Sequence, residues 1–321
     1  MKNLSKLIKE TKEIKSMPKS KITLGLLEFG YSDAISNPMS VIENVINYCE
    51  LADQLNFNQF WLTEHHNFYS HSPWSSPEIL LPILLCRTEK IRIGSGGVLI
   101  NYHSPYRVAL NFRLLENIFP NRVDLGFSNG HPQKNISELL KQKKIRTLPE
   151  DYFPNIKMIS ELFHNEVENV VDKKILIPPF KGITPDLYLL SSSFKNLNKA
   201  VELKLNLCKS LFQNADSINE ELDLLDKYRE GFYSKHGVQP KISLSASFIC
   251  SKTDRLAKRI FEKRRDETVF NQQIGSSSFI HDNIAAMSEK FSIKNFILTD
   301  LSNNFKVKME GAELLSKEFN L

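Results

Sequence analysis

Three short runs in this chain carry side chains suited to chemistry more than to packing. The first is Glu64-His65-His66. A neutral imidazole with an ordinary pKa near ~6.5 takes and returns protons at neutral pH. Adjacent residues of an extended chain point to opposite faces. One histidine of the pair can therefore face a cavity while the other packs outward. The same residues would also serve as a packing or capping pair. With His71 they offer metal-ligating atoms, but the spacing is not that of a helical zinc motif, and no metal is expected.

The second run is Gly94-Ser95-Gly96-Gly97. Glycine inside a strand marks a bulge, a corner, or the close approach of a ligand to bare backbone. A flat ring needs backbone, not side chains, against its face. The third run is Ser191-Ser192-Ser193, read as leading into a helix near Asn196. Hydroxyls and free N–H groups at a helix start favour phosphate. A plain serine cap is the alternative.

Such runs act together only if the strands that carry them end on one side. Short β-branched runs alternate with helical spacing along the chain. Strands are read at 22–27, 59–63, 91–100, 122–127, 187–191, 206–208, 242–250 and 295–299. The first helix is expected to open at Ser40, with Glu43 completing a capping box. Its apolar face runs Val41, Val45, Tyr48, Ala52, Leu55, in steps of four and three. Ser76-Pro77 and Pro105 open the next two helices. The stretch 128–186 exceeds a simple crossover and reads as a lysine-rich loop, a helix at 153–163 and a hairpin at 167–178. A last helix covers 306–319. Eight strands separated by helices pair in parallel with right-handed crossovers. A closed (β/α)8 barrel and a doubly wound open sheet both satisfy that pattern.

A length of 321 residues suits one barrel of about 250 residues with insertions. Residues 1–21 hold seven lysines against two glutamates, which accounts for the whole net charge of +5. The chain thus divides into a basic N-terminal arm, 1–21, and one electrically neutral domain, 22–321. A neutral body argues against a nucleic-acid partner. With no apolar run of about 18 residues, no membrane span is expected, and the start lacks the apolar core of a secretory signal. Cys49, Cys86, Cys208 and Cys250 stand at no metal or redox spacing. They read as small buried hydrophobes in a reducing compartment, so a cytoplasmic location is expected.

Taken in order, four segments resemble the bacterial-luciferase-like flavin-dependent monooxygenases. They are Ala52-Asp53-Gln54-Leu55 through Trp61-Leu62-Thr63-Glu64-His65-His66, then Arg87 to Val98, His103 to Ala109, and Phe119-Pro120-Asn121-Arg122-Val123-Asp124-Leu125-Gly126. The likeness is strongest over 22–130, and its nearest flavour is a subgroup that tailors natural products. The resemblance implies a (β/α)8 TIM barrel with insertions after strands four and seven. It also implies reduced FMN (FMNH2) delivered by a separate flavin reductase. O2 would add at flavin C4a, giving a peroxide that reacts with a small-molecule or carrier-bound organic substrate. Family members pair, so a homodimer, or a heterodimer with a luciferase-like paralogue, is expected.

The resemblance also assigns residues. His65 matches the family's acid/base histidine beside the flavin. Gly96 and Gly97 match its non-prolyl cis peptide under the ring. Ser192 and Ser193 match phosphate-binding positions. Asn129 stands where the family commonly has a phosphate-gripping arginine, which removes a charge-assisted contact. The segment 251–294, where relatives carry a lid, is short and implies a more open pocket. Two further readings remain: a non-catalytic partner subunit or flavin-binding paralogue, and a deazaflavin-dependent oxidoreductase.

Overall fold

The computed structural model describes residues 21–30, 37–66, 72–140, 151–211, 218–263 and 272–321. The basic arm to residue 20, His71 and the lysine-rich loop 141–150 lie outside them. The described residues form nine parallel strands: β1 Thr23–Glu28, β2 Gln59–Leu62, β3 Arg92–Leu99, β4 Val123–Ser128, β5 Asp186–Ser191, β6 Asn206–Ser210, β7 Ile242–Ser251, β8 Gln272–Ser276 and β9 Asn295–Asp300. The helices are α1 Pro38–Gln54, α2 Pro77–Arg87, α3 Pro105–Ile118, α4 Lys134–Leu140, α5 Tyr152–His164, α6 Glu166–Lys173, α7 Leu197–Glu202, α8 Ile218–His236, α9 Asp254–Glu262, α10 Ser277–Phe291 and α11 Phe305–Phe319.

Pairing runs β1-β2-β3-β4-β5-β6-β7-β9 and returns to β1, which closes an eight-stranded barrel and excludes the open sheet. The ninth strand, β8, was not anticipated from the sequence. Ser247 and Phe248 of β7 pair with both β8 and β9. β8 therefore occupies the β7 edge that β6 holds lower down, at Ile242 to Ser245. β7 is ten residues long and β6 five. β8 covers the edge β6 leaves bare, and an uncovered edge is a liability. It lies in the insertion after β7, with α9 and α10. The insertion after β4 holds α4, α5 and α6.

Strand periodicity sorts the apolar residues into two cores. Phe60, Leu62, Ile93, Val123, Leu125, Phe127, Leu187, Leu189 and Leu207 point outward to the helices. Leu27, Trp61, Tyr188, Cys208 and Ile297 point into the barrel.

Three local expectations are corrected. α1 starts at Pro38, and its cap is Asn37, whose Oδ1 accepts from the Met39 amide at 2.9 Å; Pro38 at the first helical position supersedes the Ser40 box. Residues 167–178 form no hairpin. Val167, Val170 and Val171 imitate a strand, but Glu166 and Glu168 in the first turn and Lys173 in the last suit a helix dipole, and α6 forms. Cys86 is exposed, whereas Cys49, Cys208 and Cys250 are buried. No described helix is long and apolar enough to cross a membrane.

One ion pair ties the end of β1 to α11. Glu28 and Lys308 are 2% and 1% exposed. The Lys308 ammonium donates to both Glu28 oxygens at 2.7 Å, and the Gly30 amide donates to Oε1 at 2.7 Å. Removing one partner strands the other charge in the core. Lys308→Met is expected to cost about 3–5 kcal/mol in urea unfolding. The double change Glu28→Gln with Lys308→Met should recover more than half of it.

A candidate active site at the barrel mouth

The barrel interior is divided across its length. At the end where strands begin, most polar groups bond one another, Asn58 Oδ1 being left without a partner among the described residues. Asp124, with no exposure, accepts from Gln59 Nε2 at 2.8 Å, Trp61 Nε1 at 2.9 Å and Arg92 Nε at 2.9 Å. Asn295 donates to Gln59 Oε1 and to Ser243 Oγ, both at 2.7 Å. Asn58 donates back to Asn295 at 2.8 Å. Above this plug lies the Trp61 ring, edge-on to Tyr188 with centroids 5.0 Å apart.

Beyond Trp61 the interior opens into a cavity of about 510 Å³, within the usual range for ligand pockets. It lies at the strand C-termini, where barrel enzymes place their sites. Its walls include His65, Gly96, Asn129, Ser192 and Ser193. The structure thus brings together five of the six residues singled out from sequence. The sixth, Gly97, is joined to Gly96 by a cis peptide bond.

The β3 wall is bare for steric reasons. A Cβ on Gly96 would stand 2.8 Å from Trp61 and 2.9 Å from Leu27. On Gly97 it would stand 2.6 Å from the Gly126 carbonyl oxygen and 2.6 Å from Leu190. The β3–β4 register shifts between Ser95 and Val98, at this spot. The result is a cradle of backbone that any side chain would fill, and it fits a flat ring.

The histidine run divides its labour as the alternation requires. Glu64 faces away from the cavity and is 2% exposed. Its Oε1 bonds His66 Nε2 at 2.8 Å and His103 Nε2 at 2.7 Å, and its Oε2 accepts from the Leu99 amide at 2.9 Å. Burial alone would raise the Glu64 pKa, but the His103 and His66 bonds overcome it and hold the carboxyl down at about 2. Burial would lower the His103 pKa, but the Glu64 bond and charge raise it. His65 faces the cavity and stacks on Phe29, ring centroids 5.2 Å apart. Burial lowers its pKa against the pull of Glu64. His65 is therefore a neutral base at neutral pH, and no described residue hydrogen-bonds its ring.

At the other end of the cavity the serine run differs from expectation. α7 begins at Leu197 and is six residues long, so Ser192 and Ser193 sit in the loop before it, not on a helix terminus. Ser191 Oγ donates to the Ser193 carbonyl at 2.6 Å and accepts from its amide at 3.2 Å. Lys209, 3% exposed, donates to the Ser192 carbonyl at 3.2 Å. That buried cation behind the loop was not anticipated. Asn129 Oδ1 accepts from Asn101 at 3.3 Å, and Asn101 from Asn155 at 3.4 Å.

Sequence reading also passed over Trp61, Phe29, Tyr152 and Phe153 as lining residues. Trp61 was within reach, since 61, 63 and 65 share one face of a strand. Tyr152 and Phe153 come from the insertion after β4, with the Tyr152 hydroxyl donating to the Phe127 carbonyl at 2.9 Å. Among the described residues, no cluster of three or more His, Cys, Asp or Glu is placed to hold a metal.

A closed parallel α/β barrel with this cavity at its C-terminal mouth defines an enzyme-like member of the TIM-barrel class. The model of the luciferase-like monooxygenases matches residues 24–291, and the chain belongs to that family. A Bacillus subtilis relative, the uncharacterized protein YwcH, is 23% identical over 338 residues, covering 93% of this chain and 99% of its own. Two solved structures share the fold. Apo-MsnO8 has a TM-score of 0.80 at 22% identity, covering 94% of this chain and 99% of that one. The oxygenating constituent of 3,6-diketocamphane monooxygenase from Pseudomonas putida, in complex with FMN, has a TM-score of 0.70 at 17% identity, covering 93% and 98%.

The Glu64 cluster makes the mouth sensitive to pH in both directions. Glu64 has a folded pKa below its unfolded value, so its contribution is complete above about 4.3 and fades as pH falls toward 2. His103 has a raised pKa, so its contribution is complete below about 6.5 and fades as pH climbs past the folded value. Glu64→Gln is expected to cost about 3 kcal/mol between those limits. The deficit, read by urea unfolding across pH, should narrow on both sides.

Proposed function

We propose that this protein is a monooxygenase that uses FMNH2 and O2 to place one oxygen atom on a small-molecule or carrier-bound organic substrate. The observation that carries the reading is a neutral, cavity-facing His65 beside a glycine wall with no room for a side chain. The FMN complex of the diketocamphane enzyme supports it. When bound, the reduced flavin supplies the two electrons that convert O2 into one transferable oxygen atom and water.

The chain's own residues do the rest. Gly96 and Gly97 offer backbone to the ring face. His65 accepts a proton at a ring nitrogen and returns it to the leaving oxygen. Ser192, Ser193 and Asn129 offer hydrogen-bonding side chains to the flavin phosphate. Tyr152 and Phe153 narrow the mouth and limit the water that reaches the oxidant. A separate flavin reductase would renew FMNH2. Exposed Ile79 and Ile83 on α2 and Leu114 and Ile118 on α3 offer a face to a second copy or a paralogue.

Titration with oxidised and reduced FMN, followed by fluorescence, is expected to show one site per chain. His65→Ala should lower aerobic turnover about 100-fold while changing FMN affinity little. Binding in neither redox state would end the reading. Asn129 favours one other, a flavin-binding paralogue that serves an active partner. Asn129→Arg should then tighten FMN about tenfold without creating turnover. A fully active homodimer excludes that reading.

A further inference from the structure

The cavity has two unlike halves. The residues assigned above to the flavin ring and its phosphate come from β2 to β5 or from the loops that follow those strands. The opposite half is built by β6, β7, β9 and β1, and presents Cys208, Ser210, Ser245, Ile297 and Leu27. Ser210 and Ser245 are register partners on β6 and β7, so their side chains share one face of the barrel wall. Two residues further along the same strand faces come Ser247 on β7 and Thr299 on β9, again register partners.

All four hydroxyl oxygens are buried with no hydrogen-bond partner. Ser245 is 3% exposed, Ser247 1% and Thr299 4%. Buried polar groups in native proteins are nearly always bonded, and an unbonded one is costly. The contrast within this barrel is direct. Gln59, Asp124, Arg92 and Asn295, at the other end, are bonded to one another. Ser210 and Ser245, the two that line the cavity, mark a place where the partner comes from outside the chain.

We propose that this wall is the substrate-recognition surface. Its substrate is a compact molecule with an apolar body and a hydroxyl or carbonyl group. The apolar body lies against Leu27, Ile297 and Cys208. The oxygen exchanges hydrogen bonds with Ser210 and Ser245. An unsubstituted alkyl chain would leave Ser210 and Ser245 unbonded, and such chains are selected against. The inference rests on the flavin reading for the division of the cavity. The polar edge of the flavin has similar hydrogen-bonding chemistry, and the test separates the two.

The probes are p-cresol and p-xylene, a pair of nearly equal shape that exchanges one hydroxyl for a methyl. Each is titrated into FMN-loaded and flavin-free protein, for the wild type and for Ser210→Ala with Ser245→Ala. Neither hydroxyl has a partner to lose, so the double variant should fold with an unchanged Tm. It should bind p-cresol about tenfold more weakly, with p-xylene and FMN affinities unchanged. Equal changes for both probes, no change for p-cresol, or no p-cresol binding by the wild type would overturn the proposal. So would a loss of FMN affinity with p-cresol unaffected, which assigns the hydroxyls to the cofactor. If the wild type binds no FMN, the functional reading fails separately, and the flavin-free titration still decides the wall.

Discussion

The buried carboxylate of Asp124 is the contact on which the site depends. A barrel interior must be filled, and charge inside it must be bonded. Asp124 meets both demands by gathering Gln59, Trp61 and Arg92. The bond to the indole fixes the height and tilt of Trp61, which closes the polar plug from above. Trp61 in turn stands where a Gly96 Cβ would be. The bare wall, the cavity floor and the polar plug are therefore one arrangement, and the open volume begins where Asp124's reach ends.

A second division of labour operates at the rim. Glu64 and His65 are neighbours in sequence and opposites in environment. The carboxylate turns outward, collects two imidazoles and a backbone amide, and stays ionised. The imidazole turns inward, finds Phe29 and little polar company, and stays neutral. The carboxylate's charge holds the end of β3 and the turn after it, through Leu99 and His103, and leaves the His65 ring without a hydrogen bond to any described residue. The period-2 geometry of a strand, carried one step past its end, produces both results.

Several motif residues that made the chain recognisable serve the barrel's closed end instead. Asp53, at the end of α1, accepts the amides of Glu89, Lys90 and Ile91 and so sets where β3 begins. Arg122 donates to the carbonyls of Leu85, Thr88 and Ile91 and sets where β4 begins. Their spacing was visible because each bond links adjacent βα units. The tilt and start of these strands then determine that His65, Gly96 and Asn129 reach one cavity.

The sequence by itself determined the alternation of strands and helices, their bounds within a few residues, and that His65 and His66 lie on opposite faces. These follow from local periodicity, and a strand or helix of this length imposes its period on every side chain it carries. The motifs, through resemblance, also indicated the barrel and the glycine pair. Only the tertiary structure decided closure, because nothing local distinguishes β1 paired with β9 from an open edge. It made a helix of 167–173 instead of a hairpin strand, since packing and end charges outweigh the β-propensity of three valines. It added β8 because β7 outruns β6. It placed Lys209 behind the serine loop and Ser210 beside Ser245. Those are neighbours across strands, and cross-strand contact depends on register, which no single segment contains.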